Sequence, residues 1–315
     1  MDKRNMKIGI IGTGAMGSLF AAHLAAHADV TVLGTWRDAV ETMNTRGIHL
    51  ERDAEHFYIP VRATTSARQV RNVDFALIAV KAHQTERAAR WANEILGANG
   101  IALTLQNGLG NLEILAQHVG ENRAAMGVTM QGATLHGAGH VRHAGRGNTT
   151  IATTSKTRAQ IETLTELFIR AGIETQLAND VQSLMWGKLV VNSAINALSA
   201  IYRVPNGLLV ENPETRALMS AAAQETANVA RALGITLPYL DPAARAIQVA
   251  RATATNKSST LQDVLRGAPT ELERINGAVV REGKRLGVPT PVNEQLMRVM
   301  YHPRLAQHRL AQFAA

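Results

Sequence analysis

Cysteine is absent from the 315 residues, which excludes disulfides, thiolate metal sites and a catalytic thiol. A reducing cytoplasm suits such a chain. Aromatic residues are only 4%, so the 46% of hydrophobic residues must build its cores chiefly from Ala, Val, Ile and Leu. Cores of that kind favour helices packed closely on helices or on a parallel sheet. Charged residues, at 18%, are too few for a disordered chain. No stretch approaches 18 consecutive apolar residues, so no membrane span or membrane partner is expected. A formal net charge of +8 suits a phosphorylated or carboxylate ligand. The Lys and Arg residues are scattered and not interleaved with aromatics, so nucleic acid is not expected as a partner.

The chain is long enough for two domains. Its first residues imitate a signal peptide, with Lys3, Arg4 and Lys7 before apolar residues and Ala26-His27-Ala28 resembling a cleavage site. The intervening glycines give a better account. Lys7-Ile8-Gly9-Ile10-Ile11 reads as a short buried strand, followed by Gly12-Thr13-Gly14-Ala15-Met16-Gly17, a helix over Ser18 to Ala28 and a second strand at Val30-Thr31-Val32-Leu33. In that context each glycine has a task. Gly12 makes the tight turn, Gly14 lets backbone approach a pyrophosphate, and Gly17 lets helix pack on strand. The helix N-terminus then offers N–H donors to the phosphates.

The end of the second strand distinguishes NAD from NADP. An acid there would accept the ribose 2′-hydroxyl and repel a 2′-phosphate. Leu33-Gly34-Thr35-Trp36-Arg37 has no acid before Asp38 and carries a cation at Arg37, which favours NADP. Arg37 reads equally as a solvated loop residue. Val73 to Val80 and Ile101 to Leu105 read as further buried strands, ending at Lys81-Ala82-His83-Gln84 and at Gln106-Asn107-Gly108-Leu109-Gly110. Open α/β sheets bind ligands at such carboxyl ends, so Lys81 and Asn107 suit the nicotinamide end of a cleft or are ordinary loop polars. Met126 to Ile151, rich in Gly, Thr and His, reads as short strands joined by turns. Its histidines show no helical pairing with carboxylate support, and no metal is expected.

From Asn179 onward long helical periods take over, broken at Val204-Pro205-Asn206-Gly207, Gly234 to Pro238 and Gly287 to Pro291. The expected architecture is α/β. A Rossmann-type doubly wound parallel sheet occupies residues 1–178, and an all-helical domain follows over 179–315. Within the latter, Lys188, Asn192 and Asn196 are four residues apart and stack along one helix face. One cation and two amides rising from an otherwise apolar helix make a poor core and a good cradle for a small oxyacid. A solvated face is the plainer alternative, and Trp186 reads as packing.

These residues together resemble the ketopantoate reductase family, from about Met6 to Met300. The markers come in order: Gly12–Gly17, Lys81-x-x-Gln84, Gln106-Asn107-Gly108, Trp186-x-Lys188 with Asn192 and Asn196, and Pro205-Asn206-Gly207. Asn256-x-Ser258-Ser259, Gln262-Asp263, Thr270-Glu271 and Ile275-Asn276-Gly277 complete the set. The resemblance implies a reductase converting 2-dehydropantoate to (R)-pantoate with NADPH, with its site between the two domains. It implies Lys188 as proton donor, and Glu271 as a carboxylate at the junction of cofactor and substrate. Asn192, Asn196 and Asn206 would hold the substrate's polar groups, joined by Asn107. Asn256, Ser258 and Ser259 would belong to the part receiving its carboxylate. The glycine turn (Gly12, Thr13, Gly14, Ala15, Met16, Gly17), Arg37, Lys81, Asn107, Ala133 and Glu271 would contact the cofactor. In the family an Arg commonly ends the second strand directly, whereas here Thr35-Trp36 intervene before Arg37.

Read as residues alone, Glu271 and the Ser258-Ser259 pair also suit helix starts. A reductase for another small 2-keto acid shares every feature above, and a non-catalytic NADP sensor shares most, though a sensor has no need of a proton donor. A small-molecule 2-keto acid is the expected partner, and a homodimer is one assembly the sequence allows.

Overall fold

The computed structural model describes residues 6–301, so Lys3 and Arg4 of the signal-like start lie outside the described residues. Two compact units divide the chain. The first holds the residues up to Gln106 together with Gly110–Val181; the second holds Asn107–Leu109 and the residues from Gln182 on.

The first unit alternates strand and helix: β1 (Lys7–Ile11), α1 (Ala15–Leu24), β2 (Asp29–Leu33), α2 (Arg37–Arg46), β3 (Ile48–Arg52), β4 (Glu55–Ile59), β5 (Arg62–Thr64) and β6 (Val73–Ile78). Then come α3 (Thr85–Ile95), β7 (Leu96–Thr104), α4 (Asn111–Val119), β8 (Ala124–Thr129), β9 (Gly132–Gly137), β10 (His140–Gly145), β11 (Thr149–Ala152), α5 (Arg158–Arg170) and β12 (Thr175–Ala178). Eight strands form one sheet in the order β12-β11-β8-β7-β6-β1-β2-β5, and β4-β3-β10-β9 form a second. From β5 to β8 the large sheet is parallel. The doubly wound parallel sheet expected from the sequence holds across these strands, and at one edge β11 pairs antiparallel with β8 and carries β12 with it.

Alternation in the central strands separates two cores. Ile8 and Ile10, Val30 and Val32, and Phe75 and Leu77 share a cluster with Leu19 and Phe20 of α1 and Leu164 and Phe168 of α5. The same cluster runs on through Ile48, Leu50 and Val141 of the small sheet. Ile11, Leu33, Ala76 and Ile78 face the other way, onto Ala88, Ala89 and Ala92 of α3. Small alanines let that helix lie close to the strands, which offsets the shortage of aromatics. Some expected boundaries move. The first helix begins at Ala15 and ends at Leu24 rather than spanning Ser18 to Ala28, because the glycine turn itself starts the helix. The strand expected to reach Val80 ends at Ile78.

The second unit is helical: α6 (Gln182–Tyr202), α7 (Leu208–Glu211), α8 (Pro213–Ala232), α9 (Pro242–Ala252), α10 (Ser259–Leu265), α11 (Asn276–Leu286) and α12 (Pro291–Tyr301). By length and composition alone, α6 is long and apolar enough to cross a membrane. In the fold it is a core helix: 67% of its most apolar window is buried, and it packs against α8, α9, α10 and α12. Val190, Ala194, Ala197 and Leu198 supply its share of the core, opposite Leu218, Met219, Ala222 and Ala223 of α8.

A buried polar chain crosses this core. Glu225 accepts from the backbone N–H groups of Val292 and Asn293 at 2.8 and 2.9 Å and from Asn293 Nδ2 at 2.8 Å. Asn276 Nδ2 donates to Asn293 Oδ1 and to the Ser193 carbonyl of α6, both at 2.9 Å. Asn276, a marker residue in the sequence, is thus fully buried and ties α11 to α6.

Candidate active site

In the large sheet the strand order reverses beside β1, whose neighbours are β2 and β6. Ligands of open α/β sheets bind where the carboxyl ends of such strands meet. Gly12 follows β1 with φ +132°, and its N–H donates to the Leu33 carbonyl at 2.8 Å. A Cβ on Gly12 would lie 2.5 Å from the Ala79 carbonyl oxygen, and one on Gly17 would lie 2.0 Å from the Gly12 oxygen. Both glycines are demanded by the protein's own packing. Gly14 is different: its φ is −81°, open to any residue, and a Cβ there would meet nothing within 4 Å. The fold does not need glycine at 14, whereas a pyrophosphate lying against the backbone would. The turn also opens α1 without a side-chain cap, leaving its first N–H groups to a ligand. Thr13 is buried against Gly34, while Ala15 and Met16 are half-buried. These residues fit a dinucleotide.

Arg37 is the first residue of α2 and is exposed, as are Thr35, Trp36 and Asp38. Lys81, half-buried, precedes the short 3₁₀ turn Ala82–Gln84 beyond β6. Three side chains that sequence reasoning did not single out as site residues hold that turn in place. Gln106 Nε2 donates to the Val80 carbonyl at 2.9 Å and to Thr85 Oγ1 at 3.0 Å, while its Oε1 accepts from Thr104 at 2.9 Å. Thr85 in turn reaches the Ala82 carbonyl at 2.9 Å and Asn111 Oδ1 at 3.1 Å. The signal for Gln106 was present in its marker motif. For Thr85 and Asn111 there was none. Ala133 sits on β9 of the small sheet, opposite His143 and packed against the α1 core. Among the described residues no group of His, Asp and Glu is arranged to hold a metal ion.

The second unit gathers the remaining residues. Lys188 rises from α6 among apolar neighbours, with Asn192 and Asn196 one and two turns on. Burial pushes the Lys188 amine down to about 8, and the negative charge of Glu271 pulls in the opposite direction. Glu271 is itself buried, and its side chain does not cap the short turn Leu272–Arg274 that follows, so the plain helix-start role fails here. Asn107–Leu109 joins this unit through Arg274. Leu109 N donates to the Arg274 carbonyl at 3.1 Å, and Gly108, at φ +81°, leaves no room for a Cβ against that same carbonyl. Asn107 is thereby anchored to the segment that carries Glu271.

Asn206 is buried, with Nδ2 donating to Thr253 Oγ1 at 2.9 Å and Oδ1 without a partner. Asn256 is exposed and contributes its backbone oxygen, which accepts from Asn206 N at 3.0 Å. Ser258 is a helix cap: its hydroxyl accepts from Leu261 N at 3.1 Å and donates to the Asn196 carbonyl at 3.5 Å. The Ser258 hydroxyl thereby fastens α10 onto α6 and keeps one acceptor lone pair. Ser259 opens α10, half-buried. Trp186 is packing, 2% exposed in a cluster with Leu189, Ile275 and Val279. The glycine turn, Arg37, Lys81 and Ala133 therefore belong to the first unit, and the other candidates to the second.

Residues 8–156 match the family model described as ketopantoate reductase PanE/ApbA, and residues 180–303 match its C-terminal counterpart. The 2-dehydropantoate 2-reductase of Archaeoglobus fulgidus is 35% identical over 300 residues, covering 94% of this chain and 97% of that protein. The enzyme of the same name from Halobacterium salinarum is also 35% identical, covering 96% and 99%. Among solved structures, a PanE/ApbA family ketopantoate reductase from Ralstonia eutropha JMP134 superposes with a TM-score of 0.87 at 33% identity, over 97% of this chain and 100% of that one. D-mandelate dehydrogenase with NADH and anilino(oxo)acetate shares the fold, at a TM-score of 0.88 and 24% identity over 97% and 99%.

Proposed function

The chain belongs to the ketopantoate reductase family, and from that premise we propose that it reduces 2-dehydropantoate to (R)-pantoate with NADPH, a step toward pantothenate and coenzyme A. One observation carries the reading: a lysine amine brought down to about 8 by burial, beside a buried carboxylate, on a helix that also bears two amides. A group that loses its proton near the working pH is suited to donate it.

Gly12, Thr13, Gly14, Ala15, Met16 and Gly17 would hold the pyrophosphate, and Arg37 the 2′-phosphate, with Lys81, Asn107, Ala133 and Glu271 as the other cofactor contacts. The dinucleotide, when bound, supplies a hydride. Lys188 stabilises the negative charge that grows on the keto oxygen and then gives that oxygen its proton. Glu271 keeps the amine from losing its proton too early, since its charge favours the ammonium form. Asn107, Asn192, Asn196 and Asn206 orient the acid without adding charge, and Asn256 and Ser259 receive its carboxylate.

Following NADPH absorbance with 2-dehydropantoate and several other small 2-keto acids tests the proposal, with NADH run in parallel. The expected result is the highest kcat/KM for 2-dehydropantoate with NADPH. Faster turnover of another acid would replace the substrate, and NADPH binding without any turnover would make the chain a sensor.

A further inference from the structure

We propose that Thr253 is a positioning residue that sets substrate specificity. It locks the Asn206 amide in the orientation that favours 2-keto acids carrying a hydroxyl donor. The proposal rests on the reading of Asn206 as a substrate contact.

Thr253 closes α9, and its hydroxyl lies 2.8 Å from the Val249 carbonyl. A threonine in a helix commonly donates to the carbonyl four residues back, and its single proton is then committed. What Thr253 turns toward Asn206 is therefore a lone pair, and only an N–H can meet it. Asn206 Nδ2 does so at 2.9 Å. The amide cannot rotate by half a turn without setting two acceptors against each other. Its backbone cannot drift either, because Asn206 N and Gly207 N donate to the Asn256 and Ala254 carbonyls, each at 3.0 Å. A Cβ on Gly207 would lie 2.7 Å from that of Ala254.

Asn206 Oδ1 is left buried, 7% of the residue being exposed, with no partner in the protein. Buried carbonyl oxygens are normally satisfied, so this one awaits a donor that arrives with the ligand. The keto oxygen and the carboxylate of a 2-keto acid can only accept. The single donor on 2-dehydropantoate is its terminal hydroxyl, and Asn206 Oδ1 receives it. A 2-keto acid without that hydroxyl leaves the oxygen unmet, which is the condition under which an enzyme rejects a deoxy analogue most strongly.

The test compares initial rates on 4-hydroxy-3,3-dimethyl-2-oxobutanoate and on 3,3-dimethyl-2-oxobutanoate with NADPH. Thr253→Val keeps the branched shape and removes the lone pair, while Thr253→Ser keeps the hydroxyl. The wild type is expected to prefer the hydroxylated acid. In Thr253→Val that preference, as a ratio of kcat/KM values, should fall about tenfold or more, chiefly through KM, and Thr253→Ser should restore it. Should Thr253→Val fail to fold, Thr253→Ala is read in the same way. An equal loss on both acids, or an unchanged preference, overturns the role of Thr253 and leaves the family reaction standing. A wild type that reduces both acids equally, or neither, overturns the reading of Asn206 and the role of Thr253 with it.

Discussion

The hydroxyl of Tyr239 donates to the carbonyl of Gly187 at 2.7 Å, one residue before Lys188. Burial pushes this phenol up to about 12, so it remains a donor throughout the physiological range. Gly187 permits the approach: a Cβ there would lie 2.9 Å from two ring carbons of Pro238. Gly187→Ala should therefore lower stability by about 1–3 kcal/mol through overpacking, read from the urea midpoint. Tyr239→Phe should cost roughly 1 kcal/mol for the lost bond. Wild-type midpoints in both would mean that the Pro238-Tyr239 loop does not brace α6.

Lys188→Ala should cut turnover by about two to four orders of magnitude, the usual worth of general acid help, with NADPH affinity nearly intact. In the wild type, kcat/KM should fall as pH rises past about 8, where the free amine loses its proton. Stability should move the other way. The folded value of about 8 lies below the 10.5 of an unfolded lysine, so the folded chain releases its proton first. Below pH 8 both states are charged and the full burial penalty stands, on the order of 3 kcal/mol. Between these two values stability should rise with pH. Lys188→Met removes the penalty and should raise the urea midpoint at pH 7 while abolishing turnover; a lowered midpoint would count against burial of the charge.

Two glycines of one turn should respond differently. Gly17→Val places its Cβ 2.0 Å from the Gly12 oxygen and should fail to fold. Gly14→Val enters open space and should fold with a nearly normal midpoint, yet lose dinucleotide binding in a fluorescence titration. Normal NADPH affinity in that variant would refute the phosphate role of the turn.

Glu225 accepts three hydrogen bonds from Val292 and Asn293, and burial raises its pKa while those bonds oppose the rise. Glu225→Ala should cost about 2–5 kcal/mol, because two backbone N–H groups and one amide lose their acceptor together. Midpoints within experimental error of the wild type would mean that water replaces the carboxylate there.

The elements set by local sequence are legible in the chain itself. The strand, glycine turn and helix around Gly12–Gly17 were readable because the G-x-G-x-x-G spacing falls between a short apolar strand run and an Ala/Leu-rich helix. The Lys188–Asn192–Asn196 spacing was readable because helix periodicity sets it. The β3–β4 hairpin went unread for a physical reason. Its turn, Asp53-Ala54, holds two non-glycine residues at φ +52° and +65°, so the usual Asn-Gly signal is missing. The reversal of β11 was likewise unreadable, since apolar alternation does not encode strand direction.

At the candidate site the same division holds. Sequence by itself determined which side chains carry charge, which amides share a helix face, and where glycines leave the backbone bare after the first strand, all of which follow from covalent chemistry and local periodicity. Tertiary structure alone decided how those groups behave. It buried the Lys188 amine, set Glu271 near it, committed the Ser258 hydroxyl to a cap and left one oxygen of Asn206 unpartnered. Burial, charge proximity and hydrogen-bond direction depend on segments far apart in the chain, and those distances exist only once it has folded.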